Sequence, residues 1–371
     1  MYSKIRKMKI KEITSYLEEI APLSYQESYD NAGLIVGDGN AEVTGILVCL
    51  DSTEEIIEEA IQKNCNLVVA HHPIVFEGLK KITGKNYVER TVIKAIKNDI
   101  AIYAIHTNLD NVIEGVNGKI AEILELQKTR VLAPKTGLLK KLITFVPYEA
   151  KEQVLQTLFK AGAGNIGEYS ECSYATEGKG TYLPSENSNP YKGKKGERHT
   201  EPEYKIEVLY TKEKEGKILK ALFQAHPYEE VAYDLIQLTN TSSLIGAGII
   251  GELKEEVDAL TFLKELKVKM NTSCIRHTAL LDKKIKKVAL CGGAGSFLLK
   301  EAKSQQADIF ITGDFKYHEF FDTENQIIIA DIGHFESEQF TIEHLASLIK
   351  EKFSTFAVQL TEKETNPIHY L

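Results

Sequence analysis

The sequence predicts an α/β protein whose larger domain is split into two halves by a ferredoxin-like insertion of order βαββαβ. Three observations carry this. Short runs of small and β-branched apolar residues, such as 67–70, alternate with amphipathic stretches of helical period. The segment from Pro134 to Gly137 breaks the alternation, which resumes only beyond Thr239-Asn240-Thr241-Ser242-Ser243. The strand runs of the two outer segments end in His, Asp or Gly, at the edge where open α/β sheets place their ligands. The expected domains are 1–137 and 241–371 as the two halves of one α/β domain, and 138–240 as the insertion.

In chain order, 9–20 reads as an amphipathic helix, and Tyr29-Asp30-Asn31-Ala32-Gly33-Leu34 as a turn that lines a site or merely connects. A strand at 45–50, a helix start at Asp51-Ser52-Thr53, a helix at 54–63 with acids in its first turn and a strand at 67–70 make a parallel pair with a crossover helix. A helix at 88–98 and a strand at 100–105 follow, the strand running into His106-Thr107-Asn108-Leu109-Asp110, and a helix spans 116–126. The insertion reads as strand 141–146, helix 149–161, strand 170–176, strand 203–210, helix 214–224 and strand 231–238. Its polar stretch 184–202, rich in Gly, Pro, Asn and Lys, reads as mobile or as an oligomer contact. The second half holds strands at 286–290, 309–312 and 327–330 and a closing helix at 337–352.

The chain has 371 residues, 43% of them hydrophobic and 26% charged, which is ordinary globular composition. A net charge of -8 argues against a dedicated nucleic-acid binder, although a local basic patch or a pore lining fits within that total. No apolar run approaches a membrane span, and residues 1–11 are basic without the apolar block of a secretory signal, so a cytoplasmic protein is expected. The five cysteines are scattered with no C-x-x-C pair and read as reduced core thiols.

Five residues form a coherent metal-binding set: His71, His72, Asp110, His334 and Glu338. His71-His72-Pro73 ends a buried strand, and Pro73 keeps His72 extended. Neighbouring imidazoles on such a strand are expected to diverge and to suit two nearby ions better than one. His334 and Glu338, four apart at a helix entry, share one face. Imidazoles and carboxylates without thiolate suit two divalent ions of Zn, Fe, Mn or Co, and carboxylates can bridge them. Each residue alone is equally at home as a buried histidine or a capping acid; the set points to metal. His106, Asp51, Asp314 and His318 read either as partners that orient the ligands or as the general acid and base, with His106 and His318 the candidates for those roles and a loop cap preferred for Asp51. The turn Gly292-Gly293-Ala294-Gly295-Ser296 fits a phosphate cradle or tight packing equally well. Gly246-x-Gly248-x-x-Gly251 matches a dinucleotide pattern, but the expected strand does not precede it, and a nicotinamide cofactor is rejected.

On Asp30-Asn31-Ala32-Gly33-Leu34, His71-His72-Pro73, His106 to Asp110, Gly313-Asp314 with His318, and Gly333-His334 followed by Glu338, the chain resembles the Nif-three-like dinuclear metal centre hexameric proteins, also called GTP cyclohydrolase 1 type 2 homologs. One departure is Tyr29, where that family usually has Trp. The resemblance implies that His71, His72, Asp110, His334 and Glu338 carry two metal ions per subunit and that the protein is a toroidal homohexamer. The middle segment resembles the trimeric nitrogen-regulatory and copper-tolerance proteins through His226-Pro227-Tyr228-Glu229-Glu230, where a turn or trimer contact is expected of His226.

The implied function is a metal-dependent hydrolase that directs water at a purine nucleotide C–N bond, as in a GTP cyclohydrolase. The alternative is a non-enzymatic metal-handling or regulatory hexamer. A ring that encircles nucleic acid is disfavoured by the acidic balance.

Overall fold

Ile46–Asp51 and Leu67–His72 pair in parallel, joined by the helix Glu54–Gln62, and they are the centre of the site-bearing unit. Their interior residues are fully buried, as strands covered on both faces require. The helix is capped by Thr53, whose hydroxyl accepts from the Ile56 N–H, with Glu54 and Glu55 favourably placed in its first turn. The computed structural model describes residues 8–371, so most of the basic stretch expected at 1–11 lies outside the described residues.

Two sheets make up this unit. The first runs Gly33–Val36, Ala101–Ala104, Leu67–His72, Ile46–Asp51, Val358–Leu360, with only the first of these strands antiparallel to its neighbour. The second runs Arg276–His277, Ile328–Asp331, Ile309–Gly313, Ile285–Ala294, Gly246–Val257, Gln127–Pro134, with a parallel centre and antiparallel flanks. One apolar core joins them: Val48, Val69 and Tyr103 of the first sheet pack with Val288, Ile311 and Ala330 of the second and with Ile13 and Leu17 of the helix Ile10–Ile20. Each half of the chain also completes the other's sheet, because Val358–Leu360 pairs with Ile46–Asp51 and Gln127–Pro134 pairs with Gly246–Val257.

The compact units divide after Pro134 and before Leu244, so the second unit is Lys135–Ser243, a few residues wider at each end than expected. It holds Leu139–Pro147, helix Lys151–Lys160, Ser173–Tyr182, His199–Thr211, helix Glu215–Ala225 and Tyr233–Gln237. Its sheet is antiparallel throughout, in the order Ser173–Tyr182, His199–Thr211, Leu139–Pro147, Tyr233–Gln237. Leu142, Val154, Leu158, Ile206, Ile218 and Leu222 fill the space under its helices. The polar excursion is shorter than expected because His199–Thr211 starts early, and it is tied back by Lys192 to Glu149 and Glu201.

Five strands escaped the sequence pattern: Gly33–Val36, Gln127–Pro134, Gly246–Val257, Arg276–His277 and Val358–Leu360. Four lie at sheet edges, where one flank needs no apolar partner. Gly246–Val257 is internal and carries the dinucleotide-like glycines. No helix follows directly from them; Gly248, at φ +65°, lets the backbone approach the Leu290 carbonyl. Among the described residues no helix is long and apolar enough to cross a membrane.

Candidate metal centre

The site is built at the ends of strands from both halves of the chain. His71 and His72 close the strand Leu67–His72, Asp110 ends the short helix Thr107–Asp110, and His334 and Glu338 bound the helix His334–Glu338. The rings of His71 and His72 do not diverge as strand alternation predicts: their centroids are 4.9 Å apart. The strand ends there, and the two rings are anchored to opposite neighbours. His71 Nδ1 bonds the Ile105 carbonyl at 2.8 Å, and His72 Nδ1 bonds Asp51 Oδ1 at 2.8 Å. The anchors set the far nitrogens on a common point.

The same device recurs at the other imidazoles. Asp30 Oδ1 accepts from His106 Nδ1 at 2.7 Å, and Asp314 Oδ2 from His334 Nδ1 at 2.7 Å. Four histidines thus have Nδ1 occupied and Nε2 available, the arrangement by which outer partners orient metal-ligating imidazoles. Asp30 also accepts from the Thr107 N–H and hydroxyl, pinning the loop that carries His106 and Asp110.

Glu338 lies between two donor sets. Its Oε1 is 3.7 Å from His71 Nε2, whose other neighbour is Asp110 Oδ1 at 3.6 Å. Its Oε2 is 3.0 Å from His72 Nε2 and 3.2 Å from His334 Nε2. Three groups of ligand atoms are close enough to hold a metal ion: His71, Asp110 and Glu338; His72, His334 and Glu338; and His71, His72 and His106. Three atoms of this cluster, His71 Nε2, Asp110 Oδ1 and Glu338 Oε2, are buried without hydrogen-bond geometry to any partner. Orphaned polar atoms cost about 1–3 kcal/mol each, a cost that a cation held by His71 Nε2 and Asp110 Oδ1, or by Glu338 Oε2, would relieve. The donor set therefore fits a metal ion.

Electrostatics agree. Burial, with the His72 and His106 charges, pushes the His71 imidazole below its ordinary value against the pull of Glu338. Burial opposes charge on His72 and His334 too, yet carboxylate contacts raise them to about 10 through Asp51 and Glu338 and to about 11 through Asp314 and Glu338. Burial and the Glu338 charge drive Asp110 well up, whereas the surrounding imidazoles hold Glu338 well down despite its burial. Two buried carboxylates this close do not both ionise without a cation.

Other expectations change. Asp51 is not a cap: its carboxylate takes His72 Nδ1 and the Thr365 hydroxyl. His106 joins the ligand cluster, whereas His318 does not, being exposed on the turn Tyr317–Thr323 with its ring edge-on to Tyr317 at 5.2 Å. In the glycine turn two amides are already taken. Its Gly292 N–H donates to Asn117 Oδ1 and its Gly293 N–H to Ser337 Oγ. Gly293 is at φ +63°, and a Cβ there would collide with Glu338 Oε1, so the glycine makes room for the carboxylate. A cavity of about 530 Å³ opens on the cluster, rimmed by Tyr29, Phe76, Tyr87 and Phe297, none of which the sequence flagged as a cleft residue beyond the Tyr29 turn. His226 serves its turn: Nε2 donates to the Phe145 carbonyl and Nδ1 accepts from the Tyr228 N–H.

Comparison with known proteins finds relatives along nearly the whole chain. The family model described as Duf34/NIF3 (NGG1p interacting factor 3) matches residues 8–367. A Bacillus subtilis (strain 168) protein named GTP cyclohydrolase 1 type 2 homolog is 37% identical over 97% of this chain and 98% of its own. A Staphylococcus epidermidis protein of the same name is 35% identical over 98% of this chain and 100% of its own. Among solved structures, a Bacillus cereus protein related to NIF3 superposes with a TM-score of 0.86 at 37% identity, covering 99% of this chain and 100% of that one. Staphylococcus aureus protein SA1388 superposes with a TM-score of 0.78 at 30% identity, covering 98% and 99%.

Proposed function

The chain belongs to the Duf34/NIF3 family, and from that premise we propose that its metal-binding cluster is a dinuclear centre of a hydrolase that cleaves a C–N bond in a purine-type heterocycle. The observation that carries the reading is Glu338, with one carboxylate oxygen facing His71 and Asp110 and the other facing His72 and His334. A carboxylate so placed suits a bridge between two ions. Two divalent ions of Zn, Fe, Mn or Co, when bound, would supply Lewis acidity and a water of lowered pKa.

The chain's own residues do the rest. Asp51, Asp314 and the Ile105 carbonyl hold His72, His334 and His71 in the orientation that presents Nε2. His106, fixed through Nδ1 by Asp30, has its Nε2 on the cleft side, where it either adds a ligand or holds a proton for the leaving nitrogen. The name carried by the relatives makes GTP the first substrate to offer.

Three further parts belong to this reading: a homohexamer, a cytoplasmic location, and a ferredoxin-like insertion, the last supported by its βαββαβ order and antiparallel sheet. The competing reading, metal storage or delivery by a regulatory hexamer, draws on His334, which is one-third exposed and so open to ion exchange. The deciding experiment pairs metal content per subunit, in protein purified without added metal or an affinity tag, with formate release from GTP. Close to two ions with metal-dependent formate release is expected. Two ions with rapid transfer to an acceptor and no turnover would favour metal handling, and no ions after reconstitution would sink the centre itself.

A further inference from the structure

Building on the hydrolase reading, we propose that this cleft recognises its ligand as an uncharged planar aromatic ring and that phosphate groups take no part in recognition. The first observation is the rim. Tyr29, Phe76, Tyr87 and Phe297 line the cavity with 67%, 50%, 58% and 64% of their surface exposed. The Phe76 ring meets the His106 ring edge-on at 5.5 Å, so this aromatic wall continues directly into the ligand cluster. A flat ring entering the cleft would cover these faces by offset or edge contacts while presenting its polar edge to the cluster.

The second observation is charge. Among the described residues that line the cavity there is no Lys or Arg. Glu27, Asp51, Asp110, Asp314 and Glu338 line it instead, and Asp30 stands behind His106. Two divalent ions would not neutralise six carboxylates, so the loaded cleft still repels a polyanion. Beyond what metal ions would bind, a nucleoside triphosphate needs guanidinium, ammonium or backbone N–H partners for its phosphates.

The third observation concerns the glycine turn. The glycine turn at 292–296 has the composition of a phosphate loop, but its Gly292 and Gly293 amides are taken by Asn117 and Ser337. The turn makes room for Glu338. The ligand class that satisfies all three observations is a neutral nitrogen heterocycle, as a base or a nucleoside.

The test is calorimetric titration of the full, metal-loaded chain with guanosine, GMP and GTP, and with three other neutral rings: inosine, neopterin and nicotinamide. Ion content per subunit is measured on each sample. At least one neutral ring is expected to bind, guanosine at least tenfold more tightly than GTP, with GMP between. Phe76→Ala is expected to weaken ring binding at least tenfold with ion content unchanged. GTP binding more tightly than guanosine would overturn the proposal, as it would if a neighbouring copy supplied a basic residue. Silence from all four neutral rings, or ring binding unchanged in both Phe76→Ala and Phe297→Ala, would overturn it too. Rings that bind a chain holding no ions would sink the hydrolase reading alone, and full ion content with a preference for GTP would sink this inference alone.

Discussion

Asp51 and His72 are partners twice over: their Cα positions are paired in register across neighbouring parallel strands, and the Asp51 carboxylate accepts from His72 Nδ1 at 2.8 Å. The sheet itself therefore sets the orientation of a candidate metal ligand. Asp51→Asn keeps the shape and removes the charge, and loss of such an outer partner lowers metal affinity by about 10–100-fold. Competition with a chromophoric chelator measures it. Wild-type affinity in this variant would show that the pairing has no part in ion binding.

Ion loading should release protons. Carboxylate contacts raise His72 to about 10 and His334 to about 11 despite burial, so both are protonated at neutral pH in the ion-free chain. A metal ligand must shed that proton, and affinity should fall as pH falls. The effect on ion-free stability has the opposite sense: folded values above the unfolded one stabilise fully below about pH 6.5, and the gain is lost as pH rises through 10 to 11. Titrations in two buffers of different ionisation enthalpy count the protons, and identical heats in both would refute the release.

Gly293→Ala should damage the centre without touching a ligand. At φ +63° an added Cβ is strained by about 1–3 kcal/mol, and it points at Glu338 Oε1. A lower urea midpoint together with lost ion content is the expected pair. A midpoint within error of wild type, with full ion content, would contradict the packing described.

In the insertion, burial keeps the His226 imidazole below its ordinary value, and both nitrogens are committed, one donating to Phe145 and one accepting from Tyr228. A depressed folded value gives stability that is present above the unfolded value of about 6.5 and lost as pH falls through the folded one. Thermal melts between pH 8 and pH 5 should show this acid limb, and His226→Gln should flatten it while lowering stability at pH 8. An acid limb that survives unchanged in the variant would assign it elsewhere.

His106 and His318 should separate cleanly. His106→Ala is expected to reduce ion content or turnover, because its ring belongs to the ligand cluster. His318→Ala is expected to leave ion content unchanged, because its ring lies on an exposed turn against Tyr317 and Phe321. Equal losses in both would mean that His318 reaches a site through another subunit.

What the sequence reveals here is what is local. His71-His72-Pro73 after an apolar run, and His334 four residues before Glu338, carry their meaning within one element. Asp51 looked like a cap because its partner is set by strand register, 21 residues away, and Asp30 holds His106 across 76. His318 and His106 both follow a strand and look alike in sequence; the intervening turn Tyr317–Thr323 carries one out to solvent. Gln127–Pro134 was hidden because its first four residues are exposed and only pairing makes it a strand. The aromatic rim has no periodic signature at all, since Tyr29, Phe76, Tyr87 and Phe297 come from four separate segments.

Because the ligands come from both ends of the chain, their assembly has an order in time. Asp110 leaves the ribosome well before His334, and at roughly 5–20 residues per second the interval is on the order of ten to forty-five seconds. The insertion, Lys135–Ser243, emerges within that interval. An ion captured early would meet only His71, His72, His106 and Asp110, without the carboxylate that faces both donor sets. Full metal content would therefore certify that translation had passed Glu338, and a chain stopped before it would betray itself as an open, weak chelator.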